Sequence, residues 1–189
     1  MLNIHRFFEK NYHISDDCIL QQLCDCAKIE HLKRGDLLQE VGDQSYQLSF
    51  LESGILRGFV VDEDGRDITD CFSFEGGDVL MGCNGLDEAS QINIEAISDC
   101  MIIQIPITVM MDVLTQSSFV LGVYNQLLCK ALKRQWEIKR ILYLPAMQRY
   151  QWFLSQYPGL IDSVSHKYIA SFLGITPVTL SRLRRQLRG

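Results

Sequence analysis

The sequence lacks the spacings and the long apolar runs by which several classes of protein are recognised. It contains seven cysteines but no Cys-x-x-Cys pair, and its four histidines show no metal-binding spacing. No stretch approaches the roughly 18 uncharged apolar residues that a membrane-spanning helix needs, and the N-terminus is too charged for a secretion signal. No grouping of Ser, His and acid and no phosphate-binding glycine loop is present. We therefore expect a soluble, cytoplasmic protein that is not an enzyme, with no metal, no cofactor and no membrane partner.

Positive charge is scarce in most of the chain and concentrated at its end. The net charge is −5, but residues 1–129 carry 7 Lys and Arg against 21 Asp and Glu, whereas residues 130–189 carry 11 against 2. A basic segment on an acidic body is typical of a protein in two parts. The basic part is where a polyanion would bind.

The periodicity of the apolar residues changes twice along the chain. Residues 16–28 have helical spacing, with Ser15 as the predicted N-cap. Residues 32–106 consist of short apolar runs separated by glycine-containing turns, about one every ten residues, which is typical of a sandwich or barrel. Beyond Pro106 the spacing is helical. The predicted strands are residues 55–61, 68–74, 92–97 and 101–105, and the predicted helices are residues 107–114, 117–143 and 146–156.

The helix predicted over residues 117–143 is longer than a small β domain would cover. Its apolar stripe consists of Val120, Val123, Leu127, Ala131 and Ile138. We expect a homodimer to bury this stripe, and packing against the β domain is the alternative. Pro145 predicts that the helix ends or kinks there, which places a hinge near residues 144–146.

Residues 165–188 combine the features of a helix-turn-helix. Ser165 is a predicted N-cap, and Gly174 suits the positive φ of the turn after a helix. Thr176 and Pro177 suit the cap and the first position of a second helix. The inner face of this second helix is predicted to consist of Leu180, Leu183 and Leu187, and its outer face is rich in arginine.

Double-stranded DNA is the predicted partner of this segment. The N-terminal part of such a second helix contacts base edges in the major groove, and arginine pairs with guanine or phosphate. We assign base contact to Arg182, and phosphate contact to residues nearer the C-terminus and on the first helix. The predicted DNA-binding residues are Ser165, Lys167, Ser171, Thr176, Val178, Thr179, Ser181, Arg182, Arg185 and Arg188.

In their order along the chain, these helices and the turns before them resemble the Crp/Fnr family of bacterial regulators. The matching segments are residues 32–36 (LKRGD), 40–43 (EVGD), 51–54 (LESG), 76–82 (GGDVLMG), 169–176 (IASFLGIT) and 179–182 (TLSR). The resemblance implies an α+β fold with an N-terminal jelly-roll or β-roll sensor domain of the cyclic-nucleotide-binding type, residues 1–116. It further implies a dimerisation helix, residues 117–143, and an all-α helix-turn-helix domain, residues 144–189. A protein of this kind is a homodimer that regulates transcription from a two-fold symmetric DNA site.

Three departures from the family pattern change what we expect. Cys83 and Ser90 stand where cyclic-nucleotide binders of this fold have the Glu that holds the ribose and the Arg that holds the phosphate, so we do not expect cyclic AMP to bind. Pro177 and Val178 stand where many members carry charged readers, which leaves Ser181 and Arg182 at the base-contacting positions. We also expect a helix-turn-helix without a β-hairpin wing. The candidate pocket for an unidentified small-molecule effector is Gly82, Cys83, Leu86, Ser90 and Ile94.

Two other functions remain open for the same fold. Cys18, Cys24 and Cys26 cluster in sequence and are candidates for redox sensing, although Cys18 and Cys26 would lie about two helical turns (~12 Å) apart, too far to share a small cluster. The acidic turn at residues 62–67 is a candidate for binding a basic protein. In that case the module would not act through sequence-specific DNA binding.

Overall fold

The computed structural model describes residues 3–44, 46–80 and 88–188. These residues form eight helices and eight strands, which confirms the predicted α+β class. The chain divides into two compact units. The first comprises Met1–Val60 and Cys71–Leu127, and the second comprises Val61–Asp70 and Leu128–Gly189.

Two short helices precede the first strand. The first, α1 (Ile4–Tyr12), has no counterpart in the sequence prediction, whereas α2 (Asp17–Cys26) matches the predicted helix. The cap of α2 is Asp16, whose Oδ1 accepts hydrogen bonds from two amides of the first turn, and not Ser15 as predicted. The helix ends two residues earlier than expected because Lys28 begins the first strand.

The strands form two four-stranded antiparallel sheets. Their bounds are β1 (Lys28–Leu32), β2 (Leu37–Gln39), β3 (Gln47–Ser53), β4 (Leu56–Val61), β5 (Asp67–Ser73), β6 (Val79–Leu80), β7 (Asn93–Ala96) and β8 (Cys100–Pro106). The strand order is β1-β8-β3-β6 in one sheet and β2-β7-β4-β5 in the other. The four predicted strands are β4, β5, β7 and β8, each correct to within one residue at either end. This is the β-roll that the sequence predicts.

Strand β8 contributes to two apolar clusters. Ile102 packs with Leu51 of β3 and Leu56 of β4, and this cluster draws side chains from both sheets. Ile103 packs with Phe50 and with residues of α1 and α2 on the opposite face. Successive residues of a strand alternate between faces, so β8 is buried on both sides. Burial on both faces explains why the sequence of β8 is almost continuously apolar.

Two helices follow the sheets, α3 (Ile107–Gln116) and α4 (Ser118–Ile141). Val120 is buried, and Val123 and Leu127 pack against the cluster formed with α1 and α2. The first unit thus buries Val120 and covers Val123 and Leu127 in part, as in the alternative of packing against the β domain. Among the described residues, no single helix is long and apolar enough to cross a membrane, and only the bent pair of α3 and α4, at 118°, passes on length and composition together.

The second unit contains the part of α4 from Leu128 onward, four further helices and the tip of the β4–β5 hairpin, Val61–Asp70. The helices are α5 (Ala146–Gln156), α6 (Leu160–Ser163), α7 (His166–Phe172) and α8 (Pro177–Arg188). Phe153 of α5 stacks on Tyr157 with 4.9 Å between the ring centroids, and Phe172 of α7 meets Tyr157 edge-on at 5.5 Å. This aromatic cluster fixes α7 against α5.

Candidate nucleic-acid interface

The turn between α7 and α8 has the geometry that the sequence predicts. Gly174 has a φ of +62°, its amide donates to the Ser171 carbonyl, and the Ile175 amide donates to the Ala170 carbonyl. These two bonds form a Schellman motif, which satisfies the last carbonyls of α7. The prediction that Gly174 ends the first helix is confirmed.

Arg149 of α5 braces the same turn from outside. Its Nη1 donates to the carbonyl oxygens of Leu173 (2.9 Å) and Gly174 (3.3 Å), and its Nε donates to the carbonyl of Leu144 at 2.7 Å. In the sequence, Arg149 is recognisable only as one of the basic residues of the C-terminal segment. No local pattern links residues 24 positions apart, so only the tertiary structure identifies it as the residue that positions the turn.

The two helix starts differ in how they are capped. Thr176 Oγ1 accepts a hydrogen bond from the Thr179 amide (3.1 Å) and contacts the Thr179 hydroxyl (2.9 Å), which confirms Thr176 as the cap of α8. Ser165 occupies the cap position of α7, but its side chain makes no capping hydrogen bond. Its exposed hydroxyl therefore faces solvent.

The outer face of α8 presents the predicted DNA-reading residues to solvent. Val178 is 60% exposed, and Ser181, Arg182 and Arg185 are exposed as well. The side chain of Arg188 lies outside the described residues. The face thus offers two guanidinium groups, a hydroxyl and an apolar contact, which together are able to read base edges and phosphates.

The inner face of α8 is less uniform than predicted. Leu180 is fully buried and Leu183 is half-buried, but Leu187 is 45% exposed, so the last turn of the stripe is not packed. Arg184 is half-buried and its Nη1 hydrogen-bonds the ring of His166, which ties α8 to the start of α7. Arg184 is therefore a positioning residue.

Two of the predicted phosphate contacts on α7 are already engaged within the second unit. Lys167 Nζ pairs with Asp67 Oδ1 at 3.0 Å. Ser171 Oγ accepts a hydrogen bond from the Thr69 amide (2.9 Å) and donates to the Asp67 carbonyl (3.2 Å). Asp67 and Thr69 belong to the tip of the β4–β5 hairpin, which sequence reasoning had treated only as an acidic turn.

The candidate effector pocket is described only in part. Gly82, Cys83 and Leu86 lie outside the described residues. Ser90 is 3% exposed, and its hydroxyl donates to the Ile92 carbonyl at 2.6 Å. Ile94 is 4% exposed and belongs to the cluster that draws on both sheets. In the described part, these two residues are packed into the fold.

The β4 strand leaves little space near this region. A Cβ atom added to Gly58 would lie 2.5 Å from the Cys71 sulfur and 2.8 Å from Ile92 Cδ1. Contacts this short mean that side chains already occupy the space that Gly58 faces.

The three cysteines of α2 differ in their exposure to solvent. Cys18 is exposed and Cys24 and Cys26 are half-buried, all as free thiols. Burial, together with the Asp25 carboxylate, raises the pKa of the Cys24 thiol. The thiolate is the form that binds metals and reacts with oxidants, so this shift disfavours both. Within residues 3–44, 46–80 and 88–188, no group of three or more His, Cys, Asp or Glu is placed to hold a metal ion.

Comparison with known proteins adds the fold family. No family model and no curated protein sequence matches the chain. Among solved structures, FixK2 from Bradyrhizobium japonicum aligns with a TM-score of 0.76 at 19% identity, covering 86% of this chain and 84% of its own. A CooA mutant from Carboxydothermus hydrogenoformans gives 0.73 at 18% identity, covering 96% and 84%. A protein from Eubacterium rectale, assigned to the Crp/Fnr family of transcriptional regulators, gives 0.71 at 19% identity, covering 97% and 88%.

The chain has the Crp/Fnr fold. The alignments run over both units and over most of each neighbour, so the Crp/Fnr fold describes the whole chain. Their identity is too low to transfer a ligand or a DNA sequence. What this Crp/Fnr fold does has to be argued from its own residues.

Proposed function

We propose that this chain is a cytoplasmic, homodimeric regulator of transcription that binds double-stranded DNA through α8 and does not respond to cyclic AMP. The observation that carries the proposal is the outer face of α8. It exposes Ser181, Arg182 and Arg185 beyond a capped start and a glycine turn. The alternative, a solvated basic helix on an ordinary domain, does not explain that turn, the hydrogen bonds of Arg149 to it or the likeness to known regulators.

The roles along α8 follow from position. Val178 and Arg182 lie in the first two turns of the helix, which is the end that enters the major groove in helix-turn-helix proteins. Arg182 has the planar fork that pairs with the O6 and N7 atoms of guanine, and Val178 is able to contact a thymine methyl. Arg185, one turn further, suits a phosphate.

The homodimer is supported by a second apolar stripe on α4. Leu121, Leu132 and Trp136 are 43%, 62% and 62% exposed, and they share one helix face with the half-buried Leu128. Their spacings of seven, four and four residues keep them within one face of a helix with 3.6 residues per turn. This face differs from the one that Val120 and Leu127 turn toward the first unit. We therefore assign dimerisation to Leu121, Leu128, Leu132 and Trp136.

Failure to bind cyclic AMP is supported by the local environment of Ser90. Its side chain carries no charge, and its hydroxyl is bonded to the Ile92 carbonyl of its own segment. A cyclic phosphate placed here would lose its hydration without gaining a charge-assisted hydrogen bond from this position. An effector of this chain would therefore differ chemically from a cyclic nucleotide.

A salt titration tests the DNA-binding proposal. Affinity for duplex DNA should fall steeply with rising salt, because each phosphate contact releases a counterion. A double variant, Arg182→Ala with Arg185→Ala, should lose most of the affinity and flatten the slope. The matched control is Arg6→Ala with Lys10→Ala, which removes the same charge from exposed positions on α1. Equal effects of the two double variants would show that α8 contributes to DNA binding only through non-specific electrostatic attraction.

A further inference from the structure

The tip of the β4–β5 hairpin is strongly acidic. Val61–Asp70 contains five acidic residues and a single arginine. Two of the acids serve the turn itself: Asp62 Oδ1 accepts hydrogen bonds from the amides of Asp64 and Arg66, and Asp64 pairs with the Arg66 side chain at 3.2 Å. Asp67 points elsewhere, toward α7.

The contact between this tip and α7 has a defined register. The Lys167 ammonium meets the Asp67 carboxylate at 3.0 Å, and the Ser171 hydroxyl bridges two backbone groups of β5 by accepting from the Thr69 amide and donating to the Asp67 carbonyl. Lys167 and Ser171 are four residues apart, so they lie on one face of α7. Thr69 is only 4% exposed. The tip is therefore docked on that face by one ion pair and two hydrogen bonds.

The groups in this contact are those that a DNA backbone would use. A phosphate recruits an ammonium and a hydroxyl at the first helix of a helix-turn-helix, and here a carboxylate and a peptide edge occupy both. The Ser171 hydroxyl has a single proton, and the Asp67 carbonyl already accepts it. The Ser171 hydroxyl therefore cannot donate to a phosphate while it is docked on the hairpin. The Lys167 ammonium keeps free donors, but the Asp67 carboxylate beside it offsets its charge and repels a phosphate, so the two modes of contact compete.

We propose that the β4–β5 tip is an autoinhibitory element, in which Asp67 and the Thr69 amide hold Lys167 and Ser171 away from DNA. This inference rests on the proposed function, since it adds a competitor to the DNA interface. DNA binding and docking of the tip are then linked equilibria. Docking weakens the affinity for DNA by the same factor by which bound DNA weakens docking, so a change that moves β4 or β5 also changes the affinity for DNA. The strands β4 and β5 connect this tip to the first unit. An effector bound to the first unit is therefore able to act on the tip through these two strands.

The test compares two substitutions in the hairpin that change charge equally. Asp67→Asn weakens the pair with Lys167, whereas Asp64→Asn removes an acid that pairs with Arg66 inside the tip. The probe is a duplex selected from a random-sequence pool, titrated by fluorescence anisotropy against the full chain at several salt concentrations. We expect Asp67→Asn to bind roughly tenfold more tightly than the unsubstituted chain, within the usual range of coupling between sites, and Asp64→Asn less than twofold more tightly. Equal tightening by both variants, or none by Asp67→Asn, would overturn the inference while leaving DNA binding intact.

A second measurement does not depend on either variant. The Thr69 amide donates to Ser171 in the docked state, so its hydrogen exchange should accelerate when DNA is added to the unsubstituted chain. An amide that stays equally protected in the DNA complex would contradict the inference. If neither the unsubstituted chain nor Asp67→Asn binds any duplex at low salt, it is the proposed function that fails. Binding by Asp67→Asn alone would support both.

Discussion

The guanidinium of Arg149 donates a 2.9 Å hydrogen bond to the carbonyl oxygen of Leu173, the last residue before the glycine of the helix-turn-helix. This bond and its neighbours to Leu144 and Gly174 join three chain segments at one side chain. The angle at which α8 leaves the turn therefore depends on a residue that lies outside both helices of the motif.

Loss of this brace should destabilise the second unit. Arg149→Ala would leave three carbonyls without a charged donor. The bonds to Leu144 and Gly174 are exposed and water replaces them, whereas the part-buried bond to Leu173 contributes about 1.5–3 kcal/mol, as hydrogen bonds to charged groups do. We expect a loss of about 2 kcal/mol in urea unfolding, together with weaker DNA binding. Arg140→Ala, which removes an exposed arginine near the end of α4, is the control. Similar losses for the two variants would show that Arg149 acts through charge alone.

The turn glycine allows the effect of backbone strain to be separated from that of crowding. Gly174 and Gly159 both have positive φ, but a Cβ at Gly174 would meet Arg149 Nη1 at 3.2 Å, whereas a Cβ at Gly159 would meet nothing within 4 Å. Gly159→Ala should cost roughly 1 kcal/mol from strain. Gly174→Ala should cost more, because it also displaces the brace. Equal melting temperatures for the two variants would count against this account of the turn.

Removal of Arg182 and removal of Arg185 from α8 should have different effects on DNA binding. Arg182→Ala should relax the sequence preference, with a loss of about 1–3 kcal/mol in discrimination at one base pair. Arg185→Ala should weaken binding to all sequences alike and reduce the salt slope by about one. Competition titrations with matched and mismatched duplexes distinguish these outcomes. A uniform loss from Arg182→Ala would assign that residue to phosphate instead.

The second stripe of α4 should control the oligomeric state. Leu132→Lys places a charge in the proposed seam, and Gln126→Lys places the same charge at an exposed position on another face of the helix. Sedimentation at micromolar concentration should give a monomer for Leu132→Lys and a dimer for Gln126→Lys. An unsubstituted chain that sediments as a monomer at every concentration would remove the dimer from the proposal.

Local features were predictable from the sequence, and long-range ones were not. Gly174, Thr176 and Pro177 act within a few residues of themselves, so the turn and the start of α8 follow from sequence alone. The strands β1, β2, β3 and β6 escaped prediction. Three of them are only two to five residues long, and β3 has four consecutive buried residues, 48–51, which give no clean period-two alternation. The partner of the α4 stripe could not be predicted for a different reason. An apolar helix face does not reveal which of two partners covers it, and here the first unit covers the more regular one.

The candidate DNA interface also combines local features, which the sequence predicts, with long-range contacts, which it does not. The exposed face of α8 followed from the spacing of its leucines, since the residues between them had to point outward. The roles of Arg149 and Ser171 depend on partners 24 and 102 residues away, and no periodicity encodes such contacts. Ser171 remains a prediction as a residue of the interface, and its engagement with Thr69 becomes visible only in the folded chain.

The most direct test of the central claim is selection of duplexes from a random-sequence pool by the full chain at low salt. A homodimer that reads DNA through α8 should enrich an inverted repeat whose half-sites are about 10–10.5 base pairs apart, or a multiple of that spacing. Arg182→Ala should lose preference at one position in each half-site. Sequencing that finds no enriched motif for the unsubstituted chain, or the same motif for Arg182→Ala at full strength, would contradict the account.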